Sequence, residues 1–353
     1  MIPAFVGLAG PSLTPDERRL FDRRPPAGYI LFRRNIETPE ALTALTDELR
    51  ARSGNPRLPI LIDQEGGRVA RLQPPHWPAF PPASRFAEAW ERAPSTAMAA
   101  ARANAEAIGR VLAASGISVD CLPLLDVRQP GAHDIIGDRA LGTDPHAVAA
   151  LGRAVLDGLQ AAGVVGVVKH VPGHGRAMAD SHLDLPVVDA SAAELETDLT
   201  PFIRLSDAPM AMTAHILYPA WDKALCASLS PAIIAGIIRG RIGFDGLLMS
   251  DDLGMKALAH QPGANSMGAR AAGVVAAGCD IALHCSGDLA EMEEVADALD
   301  EIGDAAMKRL DAAMAWATAH GAARWRGGDA HAPQATVAQL IARREALLEA
   351  ASA

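Results

Sequence analysis

The sequence predicts a (β/α)8 barrel, one α/β domain over residues 1–353 with extra C-terminal helices from about residue 288, on three observations. Eight short apolar runs recur with helical segments between them, and those segments carry start and stop signals. Polar side chains gather at the C-terminal ends of the apolar runs and are sparse at their N-terminal ends. Eight strand-then-helix units over about 285 residues suit such a barrel, for which about 250 residues is typical. An open doubly wound sheet is the alternative, but the chain lacks the GxGxxG turn after its first strand and any GxxxxGKS or GxxxxGKT loop.

The strand candidates are Pro3 to Leu8, Tyr29 to Phe32, Leu58 to Ile62, Val119 to Leu125, Val164 to Val168, Met210 to Thr213, Leu247 to Met249 and Ile281 to Leu283. Between them, Thr14-Pro15, Thr38-Pro39, Asp144-Pro145 and Ser230-Pro231 each set a capping side chain before a proline, which is tolerated at the first helical position. Ser191 and Glu194 have capping-box spacing, and Gly116 and Gly163 sit where a left-handed helix terminator belongs. From about residue 288 the Ala-rich tail reads as helices packed on the barrel, with a turn at His331 to Gln334.

Composition narrows the function. Half of the 353 residues are apolar, enough for a sizeable core. The formal charge of −10, with no Lys/Arg cluster in the sequence, argues against a nucleic-acid partner. The four cysteines, Cys121, Cys226, Cys279 and Cys285, have no CxxC spacing and read as buried free thiols. The first ten residues lack a basic n-region and read as a strand rather than a signal peptide. No run reaches the roughly 18 apolar residues of a membrane span, so no membrane partner and a cytoplasmic location are expected.

In a barrel the strand C-termini converge on one face, where active sites form. Strand three ends in Asp63-Gln64-Glu65-Gly66-Gly67-Arg68 with Arg71 close behind, strand four at Asp126, and strand five at Lys169-His170. Strand six runs into His215, strand seven into Ser250-Asp251-Asp252 and strand eight into His284. After strand five, the segment from Val171 to Pro186 carries His174, Asp180 and His182, and is long beside the usual connection of about 2–6 residues.

These residue types suit sugar chemistry. Asp with Arg or Lys grips vicinal hydroxyls, and a further carboxylate attacks the anomeric carbon. Metal hydrolysis uses similar residues, yet Pro172 and Gly173 between His170 and His174 forbid the helix that makes an i, i+4 histidine pair a zinc site. No HxH stands at the first strand end, and neither metal nor organic cofactor is expected.

Six motifs in order resemble glycoside hydrolase family 3: Asp63 to Val69 (DQEGGRV), Ile136 to Gly142 (IGDRALG), Lys169 to Gly175 (KHVPGHG), Asp180-Ser181-His182, Met212 to His215 (MTAH), and Ser250 to Leu253 (SDDL) with Met255. The resemblance runs from about Tyr29 to about Glu294, and within the family it is to the bacterial cytoplasmic β-N-acetylhexosaminidases that recycle cell-wall fragments. It implies a retaining exo-β-N-acetylglucosaminidase acting on GlcNAc-1,6-anhydro-MurNAc muropeptides, without an obligate protein partner. By the same resemblance Asp251 is the nucleophile, His182 the acid/base with Asp180 as its partner, and Asp63, Arg71, Arg139, Lys169 and His170 bind the sugar.

The residues agree with these roles on chemical grounds. A strand-end carboxylate can form a glycosyl-enzyme. A histidine with a carboxylate partner can protonate a leaving oxygen and then deprotonate water. Asp252 is expected to face away from Asp251 by strand alternation and to serve in hydrogen bonding. Glu65, followed by two glycines, reads as holding its loop, His174 as shaping its own, and His215 and His284 as core histidines. Trp77 stacks on a sugar or packs its Pro-rich loop. The fifth-strand motif departs from its commonest form at Val171 and at Arg176-Ala177, and no counterpart of the second α/β domain of larger family members is expected. Alternatives are a family 3 β-glycosidase for another hexose, a β-N-acetylglucosaminide phosphorylase, and a sugar-sensing barrel without turnover.

Overall fold

The computed structural model describes residues 1–129, 131, 134–177, 184–317 and 335–352. The strands are β1 (Ile2–Gly7), β2 (Pro26–Leu31), β3 (Ile60–Ile62), β4 (Val119–Asp120), β5 (Val165–Val171), β6 (Met210–Thr213), β7 (Leu247–Asp252) and β8 (Ile281–His284). All pair in parallel in chain order, and β8 returns to β1 to close the barrel. The fold class expected from the sequence is the one observed.

The helices are α1 (Pro15–Arg23), α2 (Pro39–Ser53), α3 (Ser84–Trp90), α4 (Pro94–Ala114), α5 (Pro145–Ala161), α6 (Ala192–Arg204), α7 (Met267–Ala277), α8 (Leu289–Ala298), α9 (Asp304–Trp316) and α10 (Val337–Ser352). Between β6 and β7 the chain forms a π-helical segment, Ile233–Arg241. Thr14, Thr38, Asp144 and Ser191 cap their helices through side-chain oxygens, and Ser230 Oγ accepts Ile233 N at 3.1 Å. Gly116 and Gly163 have φ of 77° and 78°, which an L side chain adopts only with strain.

Two apolar clusters hold the fold. Side chains such as Phe5, Ile30, Leu61, Val167, Met212 and Leu283 fill the barrel interior, and a larger cluster lies between the sheet and the helices. Below the barrel, α9 sets Leu310, Ala313 and Met314 against the interior cluster, and Arg309 binds Asp245 at 2.9 Å and Asp280 at 3.0 Å. α10 packs on α4, with Arg344 Nη1 donating to Asn104 Oδ1 at 2.9 Å. The C-terminal helices therefore lie on the barrel as expected; the turn expected at His331 to Gln334 lies outside the described residues.

Strand lengths depart from the sequence reading in instructive places. β4 stops at Asp120, short of the expected Leu125, because Pro123 has no N–H for a ladder; only an isolated bridge, Leu124 with Lys169, continues it. β5 and β7 run further than expected, through Val171 and Asp252, so the polar residues at these ends are held in strand geometry. Cys121, Cys226 and Cys279 are buried thiols, whereas Cys285 is half-buried. Among the described residues no helix is long and apolar enough to cross a membrane.

Candidate active site

The C-terminal ends of the strands surround a cavity of about 220 Å³. Asp63, Arg71, Arg139, Lys169, His170 and Asp251 all line it, so six of the eight site residues expected from the sequence converge on one space. The other two, Asp180 and His182, lie outside the described residues.

The floor is a network of buried charge. Lys169 Nζ lies 2.7 Å from Glu65 Oε1 and 3.2 Å from Asp63 Oδ1. Arg139 grips Glu65 with two parallel bonds, Nε to Oε2 and Nη2 to Oε1, both 2.8 Å. Arg71 Nη2 donates to Asp63 Oδ2 at 3.0 Å. Burial works against every charge here, but the partners outweigh it: Lys169 and Arg71 hold the Asp63 carboxyl well below the usual range, and Lys169 and Arg139 hold Glu65 down. Burial likewise disfavours the Lys169 ammonium, yet Glu65 and Asp63 together raise its pKa. Glu65 thus does more than hold its loop, since it is the anion that keeps two site cations in place.

A second cluster lies under β5. Asp126 Oδ2 is 2.8 Å from His170 Nδ1, and Asp126 Oδ1 accepts the backbone N–H groups of His170 at 3.1 Å and His174 at 2.6 Å. Burial raises the Asp126 pKa, but His170 and the His174 contacts bring it down to about 2. His174 is buried, and desolvation followed by the neighbouring His170 pushes it down to about 4, so its imidazole is neutral at neutral pH. Gly175 closes this loop against the barrel: a Cβ there would stand 1.9 Å from the Val127 carbonyl oxygen. The loop is tied further by Tyr218 Oη donating to Gly173 O at 2.7 Å, and by Arg176 Nε to Asp198 Oδ2 at 2.6 Å.

Three other expectations resolve in the structure. Asp252 does not face away from Asp251, because the β7–β8 register shifts between Met249 and Asp252 and both aspartates line the cavity. Its carboxylate does take the expected hydrogen-bonding part, accepting Gly254 N at 3.1 Å and Cys285 N at 3.0 Å. His215 is fully buried between Ser228 Oγ at 2.6 Å and the Asp252 carbonyl at 3.0 Å, and burial lowers its pKa; His284, equally buried, meets Glu291 at 3.0 Å. Trp77 is buried in the outer apolar cluster.

Sequence reasoning assigned no role to Gln64. Its Oε1 accepts Arg71 N at 2.8 Å and Leu72 N at 2.9 Å while Nε2 donates to Leu72 O at 2.9 Å, folding the loop so that Arg71 returns to Asp63. Gln64 N donates to Asp120 Oδ1 at 3.0 Å, and burial pushes the pKa of that carboxyl well above the usual range. The available signal was one uncharged polar residue between two strand-end acids.

A closed parallel barrel whose mouth holds fixed carboxylate–cation pairs beside a further strand-end aspartate is the architecture of a glycoside hydrolase. Residues 14–318 match the glycosyl hydrolase family 3 N terminal domain. A beta-hexosaminidase of Chromobacterium violaceum is 41% identical over 287 residues, 80% of this chain and 78% of that one. Another, of Thiobacillus denitrificans, is 36% identical over 344 residues, 97% of this chain and 90% of the relative. Among solved structures, NagZ from Neisseria gonorrhoeae in complex with N-trifluoroacetyl-D-glucosamine superposes with a TM-score of 0.82 at 31% identity, covering 99% of this chain and 98% of that one. A family 3 beta-N-acetylglucosaminidase from Paenibacillus sp. strain FPU-7 gives a TM-score of 0.84 at 32% identity over 99% of this chain, which spans 66% of that longer protein. The chain belongs to glycoside hydrolase family 3, among its bacterial β-N-acetylhexosaminidases.

Proposed function

We propose that this chain is a retaining exo-β-N-acetylglucosaminidase that removes terminal, non-reducing β-linked GlcNAc from GlcNAc-1,6-anhydro-MurNAc muropeptides during cell-wall recycling. It acts in the cytoplasm as one domain over residues 1–353, without metal, organic cofactor or obligate protein partner. The observation that carries the reading is that Asp251 opens into the same small cavity as the fixed charges of Asp63, Lys169 and Arg139. A cavity of about 220 Å³ suits one sugar unit better than a chain, which favours exo action. The N-acylated glucosamine bound by the gonococcal relative favours a GlcNAc-type sugar.

In this reading Arg71, Arg139, Lys169 and His170 with Asp63 grip the sugar hydroxyls, and their mutual pairing means little reorganisation is needed when substrate arrives. Asp251 attacks the anomeric carbon while His182, its protonated form favoured by Asp180, gives a proton to the departing oxygen. The glycosidic C–O bond breaks and a covalent glycosyl ester forms on Asp251. His182 then takes a proton from the water that displaces the ester, so the product keeps its configuration.

The test is turnover of aryl β-N-acetylglucosaminide and aryl β-glucoside in EDTA, with and without phosphate, with the sugar product identified. Release of free GlcNAc from the first substrate alone, unaffected by EDTA and phosphate, is expected. Sugar phosphate as product would mark a phosphorylase, turnover of the glucoside a different hexose specificity, and binding without turnover a sensor.

A further inference from the structure

Arg139 stands in a short 3-10 turn, Gly137–Arg139, between β4 and α5 rather than at a strand end. The backbone bonds there are local: Arg139 N donates to Ile136 O at 2.9 Å and Ala140 N to Gly137 O at 3.3 Å. Such bonds shape a turn without fixing where it sits against the barrel. Yet Arg139 lines the cavity together with Ile135 and Ile136, so the 134–139 segment forms one wall of the site.

The hairpin after β3 holds that wall. It is closed around Gly66-Gly67 by Glu65 N and Gly66 N, which donate to Val69 O at 2.9 and 3.1 Å. On one side of the turn Glu65 grips the Arg139 guanidinium through two bonds of 2.8 Å. On the other side Arg68 holds the backbone beneath it: Nη2 lies 2.7 Å from Asp134 O, 2.8 Å from Ile135 O and 3.3 Å from Ile136 O, and Nε lies 2.9 Å from Asp138 Oδ1. One guanidinium thus gathers three consecutive carbonyls and a carboxylate. The Ile135 carbonyl, with two lone pairs, also accepts Arg139 Nη1 at 3.0 Å, so the two arginines share an acceptor.

We propose that Arg68 is a positioning residue for sugar binding: it locks the 134–139 segment to the β3 hairpin and acts through Arg139. This rests on the reading of Arg139 as a sugar-binding residue given above. The Arg68 Nε and Nη2 atoms are committed to the segment, and its planar fork reaches a carboxylate and the carbonyls at once, which an ammonium cannot do as well. Misplacing a binding group by about 1 Å can cost about a hundredfold, so a loosened wall is expected to cost about tenfold.

A double-mutant cycle on the whole protein tests this, read as the affinity of the GlcNAc hydroximolactone, a sugar analogue that is not hydrolysed. Arg68→Met is expected to weaken binding about tenfold and Arg139→Met by more, with the double variant no weaker than Arg139→Met alone. Arg68→Lys, a milder change that serves if Arg68→Met does not fold, should lose about threefold and likewise nothing further beside Arg139→Met. A purely structural role for Arg68 would lower the urea midpoint and leave the affinity of the folded protein at the wild-type value, which would overturn the proposal. So would a full tenfold loss added to that of Arg139→Met, the mark of an arginine that touches the sugar itself, and so would wild-type affinity in Arg139→Met. Failure of the aryl β-N-acetylglucosaminide to turn over would instead sink the glycosidase reading and leave the binding cycle intact, since the cycle needs no catalysis.

Discussion

Lys169 and Glu65 form an ion pair at the cavity floor, Nζ to Oε1 2.7 Å, with side-chain exposures of only 2% and 4%. Arg139 holds the same carboxylate from the other side through two bonds of 2.8 Å. Two cations fix one anion, and that settles what Glu65 can do. A carboxyl held ionised by this pair is a poor proton donor near neutral pH, although its position at a barrel-strand end would suit an acid catalyst.

Glu65→Gln leaves Lys169 with Asp63 as its carboxylate partner and takes from Arg139 its ion pair among the described residues. Breaking a buried pair from one side typically costs about 3–5 kcal/mol. A loss of that order in urea denaturation is expected, with the limbs of the pH–rate profile unmoved in whatever activity remains. Loss of one limb, with stability intact, would make Glu65 a proton-transfer group after all.

Asp251→Ala should lower kcat by about a thousandfold or more while leaving the denaturation midpoint near that of the wild type. The side chain is only partly buried and lines the cavity, where its Oδ1 accepts Asp252 N at 2.8 Å. Activity close to wild type would remove Asp251 as nucleophile.

His182→Ala should hurt substrates with poor leaving groups far more than activated aryl glycosides, because an activated leaving oxygen needs little protonation. The check is a leaving-group series on kcat/KM for both proteins. Equal losses across the series would argue against His182 as the acid.

His174 makes the protein sensitive to mild acid. Its native pKa is lowered to about 4 against an ordinary 6.5, so between those values the unfolded chain binds a proton that the folded one does not. Stability therefore rises with pH across this window and falls as pH drops through it, by about 3 kcal/mol in all. Urea midpoints at pH 7 and pH 4.5 should differ by less in His174→Asn than in the wild type. Parallel pH curves for the two proteins would contradict this.

Arg176 is where the loop departs from the commonest form of its motif, and its partner is Asp198, 2.6 Å away and buried on α6. Burial raises Asp198 to about 6 even though Arg176 pulls the other way. Arg176→Ala should cost about 1–3 kcal/mol by stranding that carboxyl, and adding Asp198→Asn should restore part of the loss. Thermal denaturation of the single and double variants checks both; additive losses would mean that the two residues do not act as a pair.

The eight apolar runs, the caps at Thr14, Thr38, Asp144 and Ser191, and the convergence of Asp63, Lys169, His170 and Asp251 were all legible in the chain. Each rests on short-range chemistry: strand burial and helix capping are set within a few residues, and a parallel barrel brings every strand end to one face. What one strand does to its neighbour was not legible. The register shift beside Asp252, the single carboxylate of Asp126 holding both His170 and His174, the shared pairing of Glu65 with Lys169 and Arg139, and the hold of Arg68 on the Asp134, Ile135 and Ile136 carbonyls all join residues far apart in the chain. The sequence by itself determined which groups stand at the mouth of the barrel. Their pairing was decided only when the closed sheet fixed distances between strands that no local pattern encodes.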